Sequence, residues 1–373
     1  MDLELSDEEA ELRDNVRTVL AGICPPSVPR QVFDGGEPDA ALWAQLIELG
    51  WPALAIDERY GGLGLGFVEL ALVAEELGRA VVPAPLLATA SQFAPAVREL
   101  GGDEGAARFL PAVASGESTG AFAIAEAGRW APDAVRATAR PDGDRWVLDG
   151  EKVAVLDGAT ADEIVVVARG DAGLGAFVMP GSAVTAVTRR TLDPTLPIAD
   201  LRLDGVVVEP ARVLAAPGTP GVEEALARAL QSSTVAVAAM TVGACRRIFE
   251  ETVEYAKVRE QYDRPIGSFQ ALKHRIVELY LSVERATALV YYAALAIAEE
   301  APDRATAAAA AKVGAGDCQR LIAEDGLQLH GGIGFTWEHD LHFLLKRAKA
   351  GDVLFGGAIA HRAALAEMLA VVP

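Results

Sequence analysis

The sequence has few of the residues that form disulfides or bind metal ions. It contains three cysteines and five histidines in 373 residues. Cys24, Cys245 and Cys318 lie far apart in the chain, and neither they nor the histidines have the spacing of metal ligands. We therefore expect reduced thiols in a cytoplasmic protein, and no metal site.

Positive charge is also scarce. The chain has 33 Lys and Arg against 53 Asp and Glu, which gives a formal net charge of −20. Nucleic acids and anionic membrane surfaces are bound by clustered Lys and Arg, so the sequence argues against both partners. No run reaches the roughly 18 apolar residues of a membrane span. The acidic N-terminal sequence MDLELSDEEAEL lacks the basic-then-apolar pattern of a signal peptide.

The residues that are present are typical of a globular protein with two or three domains. Hydrophobic residues make up 51% of the chain and charged residues 23%. Ser6 and Glu9 form a possible capping box before an apolar stripe at helical spacing. A second helix is predicted from Phe67 to about Arg79. The N-terminal region is therefore predicted to be helical.

Short β-branched segments separated by turn residues follow from about Gly120 to Val213. The Asp142-Gly143 and Asp149-Gly150 pairs are good hairpin turns, because glycine accepts positive φ. The predicted strands are Ala121–Ala125, Val135–Ala139, Arg145–Leu148, Glu151–Leu156, Glu163–Arg169, Ala176–Met179 and Ile198–Leu203. This block is predicted to be an antiparallel β domain.

Helical periodicity returns after a Pro- and Gly-rich linker at 215–221. The predicted helices are about Val222–Arg259, Phe269–Glu299, Asp303–Leu329 and Leu341–Gly351, with a last helix from about Gly357. Long helices with short connections favour a bundle. The fold class is thus α+β multidomain, with an N-terminal helical domain (1–118), a middle antiparallel β domain (119–215) and a C-terminal four-helix bundle (222–373).

Four stretches of sequence make the chain recognisable. They are DERYGGLG at 57–64 followed by EELG at 75–78, REQY at 259–262 followed by IGSFQ at 266–270, QLHGGIGFTWE at 328–338, and RAK at 347–349. In this order and at this spacing the chain resembles acyl-CoA dehydrogenases from end to end. The resemblance implies the same three-part fold, FAD as cofactor, and desaturation of an acyl-CoA thioester between its α and β carbons.

The resemblance also assigns cofactor contacts. In the family, the arginine matching Arg259 holds the FAD pyrophosphate, and the loop matching Gly331–Gly334 lets backbone approach the ADP half. The cofactor-binding residues implied in this chain are Arg259, Gln261, Tyr262, Gln270, Gln328, Gly331, Gly332 and Gly334. By contrast, the glycines at 61–66 lack the strand and helix of a dinucleotide fingerprint, so they predict a tight turn.

The sequence departs from the family at the catalytic base. Phe355 occupies the position of the usual glutamate, and Ser233 occupies the alternative position on the first bundle helix. Neither side chain can remove an α proton at neutral pH. Asp352, one turn before Phe355, is the remaining candidate if both point the same way on a helix.

The β domain departs at the flavin ring. Ala125 replaces a hydroxyl that bonds the ring, and Ala154-Val155-Leu156 replaces the family's Trp-x-Thr. In family tetramers the base and ring contacts come from one subunit, and the arginine and Gly-Gly loop from its neighbour. This pattern suggests a heteromeric enzyme, α2β2, in which a homologous partner supplies the base. Steroid side-chain CoA esters are one substrate suggested by the resemblance.

Three alternatives stay open from the sequence. The chain could be a self-sufficient dehydrogenase that uses Asp352 as a displaced base. It could be a non-enzymatic acyl-CoA-binding or scaffold protein on the same fold. It could also perform flavin monooxygenation or nitroalkane oxidation, because fold alone does not define function.

Overall fold

A computed structural model describes residues 4–371, in which helices precede and follow a series of β-strands along the sequence. The Ser6 amide donates to Glu9 Oε2 (2.7 Å) and the Glu9 amide donates to Ser6 Oγ (3.2 Å), so the predicted capping box starts the first helix. The helices are α1 (Asp7–Ile23), α2 (Ser27–Phe33), α3 (Ala40–Glu48), α4 (Phe67–Arg79), α5 (Leu86–Ala88), α6 (Ala94–Ala114), α7 (Val222–Val258), α8 (Gln270–Ala298), α9 (Arg304–His330), α10 (Leu341–Val353) and α11 (Ala358–Met368). The predicted helices agree with these bounds to within about two residues.

The central sheet has the strand order β6-β7-β3-β2-β4-β5-β8, and β1 pairs with β4. The strands are β1 (Gly120–Ala123), β2 (Thr138–Asp142), β3 (Arg145–Leu156), β4 (Glu163–Gly170), β5 (Gly173–Pro180), β6 (Thr185–Arg189), β7 (Ile198–Val208) and β8 (Val213–Ala215). A hairpin of β9 (Glu260–Gln261) and β10 (Arg264–Pro265) lies between α7 and α8. Most pairings are antiparallel as predicted, but β1–β4 and β2–β4 are parallel, so the sheet is mixed.

One predicted turn is wrong. Asp142-Gly143 does connect β2 to β3, but Asp149-Gly150 lies within the continuous strand β3 at a register shift. A Cβ on Gly150 would lie 2.7 Å from the Ala137 Cα. Glycine is therefore needed here for close approach and a bulge, which a local turn signal does not distinguish from a hairpin.

The chain folds into two compact units. The helical unit contains the N-terminal segment up to Pro38, Ala71–Pro83 and the C-terminal segment from Thr234. The sheet unit contains Asp39–Leu70 and Ala84–Ser233. These units are built from discontinuous segments, and the division at 118 and 222 by sequence position stays a prediction.

Inside the helical unit, α4 and α7 pack backbone to backbone. A Cβ on Gly78 would lie 1.9 Å from the Met240 carbonyl oxygen, and one on Gly243 would lie 1.8 Å from that of Glu75. Glu75 is buried beside them, where it accepts a hydrogen bond from Tyr291 Oη (2.9 Å). The glycine of the EELG stretch therefore permits this helix crossing.

Two helices are long and apolar enough to cross a membrane by length and composition, namely α7 and α8. Within their most apolar windows, 72% and 56% of the residues are buried inside the protein. Such burial is typical of core helices.

The three cysteines are free and buried. Burial raises the pKa of the Cys24 thiol to about 12, which makes the thiolate scarce at neutral pH. Interaction with Cys318 on α9, together with burial, raises the pKa of the Cys245 thiol on α7, so the fold brings together two residues that are distant in sequence.

Candidate functional site

Two of the motif segments meet at one end of the helical unit. Arg259 directly follows α7, and Gly331 directly follows α9. The Tyr255 ring, on the last turn of α7, stacks on His330 with a centroid distance of 4.7 Å. The fold therefore places the REQY stretch beside the Gly-Gly loop.

The start of α8 is tied to the same end. Arg275 Nε lies 2.9 Å from Asp325 Oδ2, which is three residues before Gln328 on α9. Gln270 and Gln328 are both exposed. The implied cofactor-binding residues of α8 and α9 thus lie on helices joined by this ion pair.

The charged and polar members of the predicted set are available to a ligand. Arg259 and Gln261 are exposed, and the Tyr262 side chain is 89% exposed. Within residues 4–371 the Arg259 guanidinium forms no hydrogen bond or ion pair. Because a guanidinium fork suits a pyrophosphate, this open cation fits the role that the family resemblance implies.

The glycines of the loop divide into two kinds. Gly331 has φ 62° and ψ −145°, a region that essentially only glycine adopts. Cβ atoms placed on Gly331 or Gly332 would meet nothing within 4 Å, whereas one on Gly334 would lie 3.0 Å from His330 Cβ. Gly334 is therefore tightly packed inside the chain. Gly331 and Gly332 present open backbone, so these residues fit the ADP half of FAD.

None of the three candidate base positions carries a free carboxylate. Phe355 is buried with φ 58°. Ser233 is buried, and its Oγ donates to the Ala229 carbonyl oxygen at 3.0 Å. Asp352 Oδ2 accepts a hydrogen bond from Lys349 Nζ at 2.8 Å, and the Asp352 side chain is 15% exposed.

The expected alignment of Asp352 with Phe355 on one helix is wrong. The helix α10 ends at Val353, and the left-handed backbone at Phe355 turns the chain away. Asp352 Oδ1 instead lies against α9, where a Cβ on Gly316 would approach it to 2.6 Å. A sequence window shows the spacing of two residues but not the end of the helix between them.

A buried lysine that sequence analysis missed holds the end of α10. Lys312 on α9 is fully buried, and its Nζ donates to the carbonyl oxygens of Gly351 and Asp352. Burial lowers the pKa of Lys312 to about 7, although the attraction of the Asp352 carboxylate opposes this shift. The only sequence signal is a lysine within an alanine-rich helix.

The ring-side segments lie in the sheet unit and are apolar. Ala125 is 1% exposed and carries no hydroxyl. The next residue, Glu126, is held by Lys152 Nζ at 2.5 Å and accepts from the Ala137 amide at 3.0 Å. Burial lowers the pKa of Lys152, and Glu126 opposes this shift. The carboxylate is thus committed to a buried ion pair.

The Trp-x-Thr position offers no ring contact either. Val155 and Leu156 are buried in the core of the sheet unit, and Ala154 has φ 52°. No hydroxyl or indole donor is present among these residues. The residues of this chain therefore fit the ADP half of FAD and do not fit its ring half.

Comparison with known proteins agrees with the fold and the motifs. The N-terminal domain model of acyl-CoA dehydrogenases matches residues 6–117, and the C-terminal domain model matches residues 221–370. The chain is 35% identical over 345 residues to the acyl-CoA dehydrogenase IpdE2 of Mycobacterium tuberculosis, covering 92% of this chain and 91% of that protein.

Two solved structures are similar along almost the whole length. The ChsE4-ChsE5 complex from Mycobacterium tuberculosis contains a chain with TM-score 0.89 and 28% identity, with all of both chains covered. A variant of the Tcur3481-Tcur3483 steroid ACAD gives TM-score 0.86 and 28% identity, with 98% of each chain covered. With its motifs, its fold and these matches, the chain belongs to the acyl-CoA dehydrogenase family of FAD-dependent oxidoreductases.

Proposed function

We propose that this chain is one subunit of a heteromeric α2β2 acyl-CoA dehydrogenase, in which a homologous partner supplies the catalytic base and the ring-side contacts to FAD. The observation that carries the proposal is the asymmetry between the two half-sites. Arg259 and the Gly331–Gly332 backbone are open to a ligand, whereas Phe355 and Ala125 stand where a carboxylate and a hydroxyl are needed. Independent loss of function would not spare one half-site.

The division of labour follows from the chemistry. When bound, FAD accepts the β hydride while a carboxylate removes the α proton of the acyl-CoA. A buried phenylalanine at position 355 cannot accept that proton. The Arg259 guanidinium, extended from the end of α7, would hold the pyrophosphate for the partner's site.

Two similar structures support a proposal for the class of substrate. One similar structure is a variant of the Tcur3481-Tcur3483 steroid ACAD, and another is the ChsE4-ChsE5 complex. We assign to the heteromer the CoA ester of an acyl side chain carried on a steroid ring. The free buried thiols agree with a cytoplasmic location.

Flavin content tests the proposal. The chain expressed alone is expected to hold little flavin, and co-expression with a homologous subunit is expected to give a yellow, active complex. Visible absorbance per chain measures both. Near-stoichiometric flavin in the chain alone would favour a self-sufficient enzyme, and a colourless complex would favour a non-enzymatic scaffold.

The role of Arg259 is tested in the complex. Arg259→Ala should strip flavin without dissociating the subunits, because the side chain has no partner within residues 4–371 whose loss would disturb folding. Arg320→Ala is the matched control, since Arg320 is an exposed arginine of the same unit that pairs with Glu324 at 3.3 Å. Equal flavin occupancy in the two variants would show that the Arg259 assignment is wrong.

A further inference from the structure

The hydrogen bonds within the Gly-Gly loop do not attach it to the rest of the protein. Between His330 and Thr336 its backbone forms one short helical turn, Gly331–Phe335. The Thr336 amide and Oγ1 both donate to the Ile333 carbonyl oxygen, at 3.1 and 2.9 Å. These bonds define the local turn but do not fix it on the protein.

The start of the loop is held by α7 and α9. His330 is buried, stacks on Tyr255, and its Nδ1–H donates to the Gly326 carbonyl oxygen at 2.8 Å. Gly334 packs against His330 and Leu327. The first residues of the loop are therefore fixed by the ends of long helices.

The end of the loop is held by α2 through Trp337. The indole Nε1–H of Trp337 donates to Asp34 Oδ1 at 2.9 Å, directly after α2 ends. The indole ring stacks on His342 with a centroid distance of 4.5 Å, and Lys346 Nζ lies 4.6 Å from its centroid. Although the side chain is 49% exposed, it is contacted by both α2 and α10.

The backbone after Trp337 is held by a single guanidinium from α2. Arg30 Nη1 donates to the Trp337 carbonyl oxygen and Nη2 to that of Glu338, each at 3.2 Å. Arg30 Nε donates to Asp340 Oδ1 at 3.1 Å. The guanidinium also lies over the Phe343 ring, 4.8 Å from its centroid. Its planar fork thus joins two consecutive loop carbonyls to a carboxylate at the start of α10.

We propose that Arg30 and Asp34 are positioning residues for the cofactor, which hold the Gly331–Gly332 backbone in the place where it receives the ADP half of FAD. The inference rests on the proposed function and adds α2 to it as the element that orders the loop. With both ends anchored and its middle open, the loop loses little conformational entropy when FAD binds. The sequence motif contains neither residue of this anchor.

The experiment compares FAD binding by two arginine-to-lysine variants of this chain, each in the mixed complex with the partner subunit. Arg30→Lys keeps the charge but cannot bridge two carbonyls and a carboxylate. It should weaken FAD binding about tenfold, as expected for lost charge-assisted hydrogen bonds, and should speed amide exchange at 331–338 in the flavin-free complex. Arg17→Lys is the matched control, because Arg17 on α1 binds both Glu76 carboxylate oxygens and does not touch the loop.

The Trp337 contact gives a second, independent arm. Trp337→Phe keeps the stacked ring and removes the donor, so it should weaken FAD binding in the same direction. Asp34→Ala should weaken FAD binding to the same extent as Trp337→Phe, and the double variant should bind FAD no more weakly than either single variant. Asp34→Asn, which keeps an acceptor, should bind FAD nearly as wild type does. FAD titration by fluorescence and the thermal midpoint are measured together.

The outcomes separate this inference from the proposed function. Weaker FAD binding in Arg30→Lys than in Arg17→Lys, at similar thermal midpoints, supports the anchor. Equal FAD binding in these two variants overturns the anchor, and the proposed function stands if Arg259→Ala still strips flavin. If Arg259→Ala also has no effect, the assignment of Arg259 to the cofactor is wrong as well as the anchor.

Discussion

The carboxylate of Asp352 is occupied by contacts with neighbouring residues and is not free to act as a catalytic base. Its side chain accepts from Lys349 and packs against α9, and the backbone around it is fastened by Lys312. A base must reach the substrate's α carbon with a free oxygen. The surroundings of Asp352 serve the end of α10 instead.

We expect Asp352→Asn to leave kcat of the mixed complex unchanged. Its cost should be about 1 kcal/mol of stability or less, because the lost ion pair involves a Lys349 side chain that is 49% exposed. Steady-state kinetics and urea unfolding measure the two effects. Abolished turnover in an intact, flavin-loaded complex would restore Asp352 as the base.

At the scale of elements, the crossing of α4 and α7 depends on glycine at positions where backbone meets backbone. A methyl group on Gly78 has no flexible side chain to displace, since its nearest neighbours are main-chain atoms of Met240. A motif glycine can therefore serve the packing of two helices. The glycines at 331 and 332 differ because nothing in the chain lies within 4 Å of their missing Cβ atoms.

Gly78→Ala should destabilise the protein by about 1–3 kcal/mol, because the helices must separate to admit the methyl group. The control is Gly22→Ala near the end of α1, where a Cβ meets nothing within 4 Å. That change should be neutral or stabilising by up to about 1 kcal/mol, since alanine favours helix. Thermal or urea unfolding gives the comparison, and equal stability of the two variants would contradict the crossing described here.

For the whole molecule, the number of ADP-side and ring-side half-sites decides how many FAD molecules the complex can bind. The proposed division gives this chain an ADP-side half in its helical unit and no ring-side half in its sheet unit, where Ala125 and Val155 are buried apolar residues. A partner with a complete ring side can form a site only with a neighbour that donates the ADP side. The number of cofactors is then set by the number of partner chains.

An α2β2 complex is therefore expected to hold two FAD molecules and not four. Native mass spectrometry together with visible absorbance measures the ratio of flavin to chain. A ratio of four per tetramer would mean that this chain completes a ring side of its own, and would contradict the division proposed above.

Local sequence signals were sufficient for the first helix, α4, the C-terminal helices, most strands and the family motifs, but they did not identify α2, α3, α5 or α6 individually. Capping at Ser6, helical period from Phe67 and the order of the four stretches all depend on residues close together in the chain. The same local signals failed at Gly150, because a glycine needed for close approach to Ala137 gives the same Asp-Gly pattern as a hairpin turn. They also failed at β6, an exposed strand without apolar alternation.

Tertiary structure decided which side chains support the site. Arg30 reaches the carbonyl oxygen of Trp337, 307 residues away in sequence, and Lys312 reaches that of Asp352, 40 residues away. Such contacts leave no periodic pattern, because they depend on which helix ends pack together. The residues that could bind the cofactor are thus visible in the motifs, whereas the residues that hold them in place are chosen by packing.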